Sequence, residues 1–116
     1  MAAKQSTSTD SQRLNAAIAP SLQQLREHKA QILAIFKQHG CFDVRVFGSV
    51  VRGDATAESD IDFLCDYDLE KTSGFFPGGL IAELEDCLGF SVDVVFPSAL
   101  EAKYIGKTIQ QDLMVL

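Results

Sequence analysis

The chain has 116 residues, of which 47% are hydrophobic, and its formal net charge is −6. This length and apolar content suit one folded domain, and the excess of acidic residues argues against direct nucleic-acid binding, which normally needs a basic patch. No apolar run approaches the roughly 20 residues that a membrane-spanning helix needs, which excludes a membrane protein of that kind.

The first segment of the chain is polar. We expect residues 1–12 to form a flexible tail, because they offer little to bury and contain no apolar signal-peptide core. Residues 13–116 are then a single domain. Three cysteines without a close pair indicate free thiols in a reducing compartment, and these features together predict a cytoplasmic protein.

The first predicted helix begins at a capping box, Ser21-x-x-Gln24, and ends at Gly40. Leu14 and Ile18 leave open an earlier start, before Pro20. The patterns that follow predict a strand over 44–47, a short helix opened by Gly48 and Ser49, a loop over 53–59 and a second strand over 60–67. A loop over 72–79 then leads to a helix that begins at Leu80 and is closed by Gly89. A third strand over 91–96 precedes the last helix, which runs from a capping box at Ser98 through Leu113.

Helices therefore alternate with short strands along the chain. This order predicts an α/β (α+β) fold, in which helices pack on a small mixed sheet.

Asp60 and Asp62 are the first candidates for a functional site. Carboxylates at positions i and i+2 of a strand point to the same face, and two such groups repel each other unless a cation or a donor joins them. Hard oxygen ligands of this kind suit Mg²⁺ shared with a nucleoside triphosphate. The alternative to a metal site is that the two aspartates are acidic residues on a solvent-exposed face of the strand.

Asp93 is a third candidate, because it lies inside the otherwise apolar run Ser-Val-Asp-Val-Val-Phe. A carboxylate there is unfavourable to bury without a partner. It is either part of the same site or a strand aspartate bonded to backbone groups.

Gly48 and Ser49 precede Asp60 by about ten residues and form a strand-to-helix turn. Glycine lets the backbone approach a phosphate closely, and the serine hydroxyl can bind the same phosphate or cap the short helix. Arg52 could contact phosphate or pair with an acidic neighbour such as Asp54. Ser59 could orient Asp60 by hydrogen bonding or serve as a turn residue.

The combination of Gly48-Ser49-x-x-Arg52-Gly53-Asp54 with Asp60-x-Asp62 resembles the signature of DNA polymerase β-like nucleotidyltransferases. The short chain is similar to the minimal nucleotidyltransferase (MNT) antitoxins of HEPN–MNT toxin–antitoxin pairs, and the resemblance covers about residues 44–96.

The resemblance implies a polymerase β-like core and a catalytic and metal-binding set of Asp60, Asp62 and Asp93. Asp93 would bind one metal ion and help to take the proton from the attacking hydroxyl. The nucleotide-binding residues would be Gly48, Ser49, Arg52 and Ser59. The cofactor would be Mg²⁺, with two ions, and the substrate would be ATP.

The same resemblance implies an antitoxin of a type VII-like pair, which transfers AMP to a tyrosine of a HEPN RNase toxin and forms a complex with it. The sequence leaves two alternatives. One is an antitoxin that occludes the toxin without catalysis, and the other is a stand-alone nucleotidyltransferase that modifies a small molecule.

Overall fold

The computed structural model describes residues 19–97 and 111–116. Its elements, in chain order, are the helices and strands α1 (Leu22–Glu27), α2 (Lys29–Gln38), β1 (Cys41–Phe47), α3 (Ser49–Arg52), β2 (Ile61–Tyr67), a 3₁₀ helix (Leu69–Lys71), α4 (Gly78–Leu88), β3 (Val92–Val95) and β4 (Met114–Val115).

The four strands form one mixed sheet in the order β3-β2-β1-β4. β1 runs antiparallel to both β2 and β4, and β2 runs parallel to β3. A parallel neighbour requires a crossover, and α4 lies in the connection between β2 and β3. The predicted mixed sheet packed with helices is confirmed.

The predicted capping box opens α1. The Ser21 hydroxyl accepts a hydrogen bond from the Gln24 backbone N–H, and the Gln24 side chain accepts one from the Ser21 backbone. The single helix predicted up to Gly40 is nevertheless divided at His28, whose backbone leaves the helical region at φ −104° and ψ 15°. The His28 ring nitrogen Nδ1 donates to the Gln24 carbonyl at 2.9 Å, which holds this local break in place.

The core lies between the helices and the sheet. Phe36 of α2 meets Phe63 of β2 edge to face, with ring centroids 5.2 Å apart, and Leu80 and Leu84 bury the inner side of α4. The inner face of β2 is fully apolar, because Ile61, Phe63 and Cys65 are all buried. This packing fixes the position and rotation of β2, the strand that carries Asp62.

Two strands differ from the sequence prediction. β1 begins at Cys41 rather than residue 44, because a register irregularity between Phe42 and Arg45, with Asp43 at φ 53°, breaks the alternation that marks a strand. β4 was not expected at all. Leu113, predicted to end the last helix, lies outside any helix, and Met114 begins β4.

The predicted tail over residues 1–12, the possible early helical turn at Leu14 and Ile18, and the capping box at Ser98 lie outside the described residues. The loops predicted over 53–59 and 72–79 are present up to the start of α4 at Gly78. The predicted free thiols are confirmed for Cys41, Cys65 and Cys87. No helix in the described part of the chain has the length and apolar character to cross a membrane.

Candidate active site

Asp62 lies at the centre of the candidate site. On one side of β2 it is paired with Phe47, the residue before Gly48, and on the other side it is paired with Asp93 of β3. The two neighbouring strands therefore deliver the glycine turn and a second carboxylate to the same position. This juxtaposition joins three predicted site residues that are distant in the sequence.

Gly48 turns the chain from β1 into α3. Its backbone has φ 83° and ψ −154°, a conformation open essentially to glycine alone. A Cβ atom at this position would also overlap the Oδ2 atom of Asp62. The backbone conformation therefore requires glycine here, and any larger residue would also force the Asp62 carboxylate to move.

The electrostatics of Asp62 are unfavourable for a carboxylate. Burial raises its pKa to about 6, with further contributions from the negative charges of Asp93 and Asp60, while Arg52 opposes the shift. A carboxyl group surrounded in this way gains from a cation, which would favour its ionised form.

Asp60 and Asp93 flank Asp62 on the exposed side of the site. Asp60 lies immediately before β2 rather than on it, because the strand begins at Ile61, so the expected i and i+2 arrangement on one strand is only partly correct. Both side chains are exposed. Their charges act on Asp62, as its raised pKa shows.

The donor set fits a hard divalent cation, because it consists of carboxylate oxygens whose charges repel one another. Among residues 19–97 and 111–116, however, no three acidic, histidine or cysteine side chains are close enough to form a ready-made metal site. The three aspartates come from two strands and a loop end, and their mutual repulsion contributes to the raised pKa of Asp62.

Arg52 ends α3 and pairs with two carboxylates. Its Nε donates to Asp54 at 3.2 Å, and its Nη1 donates to Asp112 at 2.6 Å. Of the two roles open for Arg52, pairing with Asp54 is the one observed. Asp112 was missed in the sequence, since a partner 60 residues away leaves no local signal.

Ser49 and Ser59 occupy different surroundings. Ser49 is the first residue of α3, directly after Gly48, and is half-buried beside the site. The Ser59 hydroxyl accepts a hydrogen bond from the Thr56 N–H at 2.8 Å, and the Ser59 N–H donates to the Thr56 carbonyl at 3.0 Å. These contacts match the turn role that the sequence left open for Ser59.

Comparison with known proteins gives a consistent family assignment. A family model described as a nucleotidyltransferase domain matches residues 29–115. The protein adenylyltransferase MntA of Thermococcus cleftensis is 35% identical over 91 residues, which cover 78% of this chain and 86% of that protein.

Two solved structures share the fold. One, provisionally named a minimal nucleotidyltransferase, has a TM-score of 0.67 and 33% identity, and the match covers 83% of this chain and 96% of that one. The other, named a toxin–antitoxin with AMP-PNP, has a TM-score of 0.58 over 75% of this chain and 70% of that one. At 18% identity, the second shows the fold alone.

The predicted fold and enzyme class are thereby confirmed. The match to the family model spans both sides of the candidate site, from α2 to β4, and the relatives are matched over most of their own length. The chain belongs to the nucleotidyltransferase domain family, as one of the minimal nucleotidyltransferases of the DNA polymerase β-like superfamily.

Proposed function

We propose that this protein is an antitoxin that transfers AMP from ATP to a hydroxyl of a partner protein, a tyrosine of a HEPN RNase toxin, and so neutralises it. The observation that carries the proposal is the placement of Asp62 between Gly48 and Asp93. Support for the reaction and the context comes from a relative named a protein adenylyltransferase and from a fold neighbour named a toxin–antitoxin with AMP-PNP.

Asp60, Asp62 and Asp93 would hold magnesium in this reaction, with two ions shared among them and Asp93 on one. Bound magnesium supplies charge neutralisation at the triphosphate and at the attacking oxygen. The raised pKa of Asp62 supports this role, because burial and the charges of Asp93 and Asp60 outweigh the opposing charge of Arg52 and leave the ionised form unfavourable.

The glycine turn would position the triphosphate. Gly48 has no side chain to keep a phosphate away from the backbone, and Ser49 begins α3 with its hydroxyl beside the same turn. Binding here orients the α-phosphate for in-line attack by the acceptor hydroxyl, with pyrophosphate as the leaving group. Asp93, exposed at the edge of the site, can receive the proton of that hydroxyl.

The toxin partner completes the proposal. The chain carries a formal net charge of −6, which suits association with a basic protein surface such as that of an RNase. The proposed complex brings a toxin tyrosine to the exposed side of the carboxylate cluster.

The test is an intact-mass measurement of a HEPN RNase toxin incubated with this protein, ATP and Mg²⁺. We expect a gain of AMP with the wild type and with Asp66→Asn, but none with Asp62→Asn. Asp66 is the matched control, because it lies on the same strand and, within residues 19–97 and 111–116, its side chain bonds only to the neighbouring Tyr67 N–H.

Three results would contradict the proposal. Toxin that is neutralised in a tight complex without any gain in mass would indicate occlusion. Transfer of AMP to a small alcohol in the absence of a partner would indicate a stand-alone enzyme. Equal transfer by the wild type and Asp62→Asn would remove Asp62 from the site.

A further inference from the structure

A concave surface lies at the end of the sheet opposite the candidate active site. This cleft has a volume of about 830 Å³ and is bordered by α2, by the first half of β1, by the 3₁₀ helix and by the end of β4. Neither Asp62 nor Asp93 lines it. Because strands rise about 3.3 Å per residue, the start of β1 at Cys41 lies roughly 20 Å from its end at Phe47, beside the active site.

The cleft is basic on an acidic molecule. Four of the six lysine and arginine residues in the described part of the chain line it, together with only two acidic residues, Asp43 and Asp68, the second of which pairs with Lys71 at 4.0 Å. The four are Lys29, Lys37, Arg45 and Lys71. A local excess of positive charge on a chain of net charge −6 attracts an acidic ligand.

The basic side chains border an apolar floor. Leu33, Val44 and Leu116 line the cleft, and Phe42 and Val115 at its margin are 50% and 76% exposed. Exposed large apolar side chains grouped around a concavity are typical of a surface that binds another protein.

The wall formed by α2 presents basic and apolar side chains at regular spacing. Lys29, Leu33 and Lys37 follow one another at intervals of four residues and share one face of the helix. The two lysines are about 12 Å apart along the helix axis, at 1.5 Å per residue. Two acidic residues separated by three or four positions in an extended chain, with an apolar side chain between them, match this spacing.

The strand edge beside the cleft favours an extended ligand. On the outer side of β1, β4 pairs only at Arg45 and Val46 among the described residues. The Val44 carbonyl accepts a hydrogen bond from the Leu116 N–H at 3.4 Å, and the residues before it, 41–43, line the cleft without pairing to β4. An extended segment can add to such an edge through backbone hydrogen bonds.

We propose that this cleft is a docking site for an extended acidic segment, carrying an apolar anchor residue, of the protein that accepts the nucleotide. The proposal rests on the proposed function for the identity of the acceptor as a protein. The positive charge of the cleft supports an acidic segment, and its apolar floor supports an apolar anchor residue within that segment. A segment held here leaves the active site at the other end of β1 open to the acceptor hydroxyl.

The test begins with selection from a random peptide display library on the full 116-residue protein. We expect enrichment of peptides with spaced Asp or Glu around a Leu, Ile or Phe. The affinity of a selected synthetic peptide should fall roughly tenfold in Lys29→Gln/Lys37→Gln and again at high salt, because exposed charge contacts are screened.

The matched control is Gln31→Glu/Gln38→Glu. It changes the net charge by the same amount, on the same helix, at residues that lie outside the cleft. The control should retain peptide binding. Asp62→Asn should also retain it, so that a failure of catalysis remains distinguishable from a failure of docking.

Other occupants give different results. Basic or neutral selected peptides, or equal weakening by both double variants, would overturn the proposal. So would a 12-nucleotide RNA that binds the wild type and is lost in Lys29→Gln/Lys37→Gln while no acidic peptide binds. Self-association that disappears in the same variant would instead assign the cleft to a second copy of the chain.

Discussion

Asp62 is a carboxylate that the fold places where ionisation is unfavourable. Its pKa is raised to about 6 from an ordinary 3.8, by burial first and by the charges of Asp93 and Asp60 second. At a pH between these two pKa values, the unfolded chain has released the Asp62 proton while the folded protein still keeps it. The stability of the metal-free protein therefore declines as the pH rises through this window, and the loss is fully present above it.

We expect Asp62→Asn to stabilise the metal-free protein while abolishing transfer. The gain in the free energy of unfolding should be about 1 kcal/mol near pH 7.5, after allowance for the partial exposure of the group, and should vanish at about pH 3 and below, where the carboxyl is protonated in both the folded and the unfolded state. Urea unfolding at the two pH values measures the gain, and transfer should fall at least about 100-fold. An equal gain in Asp66→Asn would contradict the explanation.

At Gly48, the backbone and steric contributions of glycine to the free energy of unfolding can be separated. We expect Gly48→Ala to lower the free energy of unfolding by about 3 kcal/mol, since it combines a glycine-only conformation with overlap of the Asp62 carboxylate. Gly53→Ala is the control, because Gly53 has a similar φ of 84° but open space around it, and about 1–2 kcal/mol is expected there. Equal losses in urea unfolding would show that the contact with Asp62 is unimportant.

At the level of elements, Arg52 connects α3 to the end of the chain. Its guanidinium bonds Asp112, whose side chain is only 15% exposed, and the adjacent β4 pairs with β1 at Arg45 and Val46. The two carboxylates raise the pKa of Arg52, so the group stays charged. The helix that follows the glycine turn is thus attached to the strand that closes the sheet.

We expect Asp112→Asn to increase the hydrogen-exchange rate of the β4 amides at Met114 and Val115, because the charged link to α3 is lost. Asp54→Asn is the control, since it removes the other carboxylate from the same guanidinium, one that is 63% exposed and only two residues away. Exchange measured by mass spectrometry should be unchanged in the control. Equal acceleration in both variants would mean that β4 does not depend on this link.

The elements that carry their own local signals were predictable from the sequence. The capping box at Ser21 and the stop at Gly89 were correct, because each depends on contacts within a few residues. The two-residue strand β4 has no alternation of its own to detect, and the Asp43 irregularity conceals the start of β1. Both are determined by pairing with distant residues, which a local pattern cannot contain.

For the molecule as a whole, a ligand that binds only the folded state raises its stability. We expect Mg²⁺ to raise the melting temperature of the wild type by about 2–5 °C, as it relieves the repulsion around Asp62, and EDTA to reverse the change. Asp62→Asn should lose this shift and Asp66→Asn should keep it. A shift of equal size in Asp62→Asn would place the ion elsewhere.

The candidate site was predictable in its members more than in its geometry. Asp62 and Gly48 stood out because their residue types and spacing are unusual, and the structure brings them together. The pairing of Asp62 with Asp93 required the parallel register of β2 and β3. The role of Asp112 depended on tertiary contact with Arg52, and Ser59 proved to be bonded within its own turn.

The parallel pairing of β2 with β3 also has a consequence for synthesis. Asp62 and Asp93 become neighbours only after α4 has crossed between the two strands, and parallel pairings of this kind form late because they close a long loop. A nascent chain that ends before β3 therefore contains the glycine turn and one carboxylate, but no complete site. The proposed site therefore exists only in chains whose synthesis has passed Asp93.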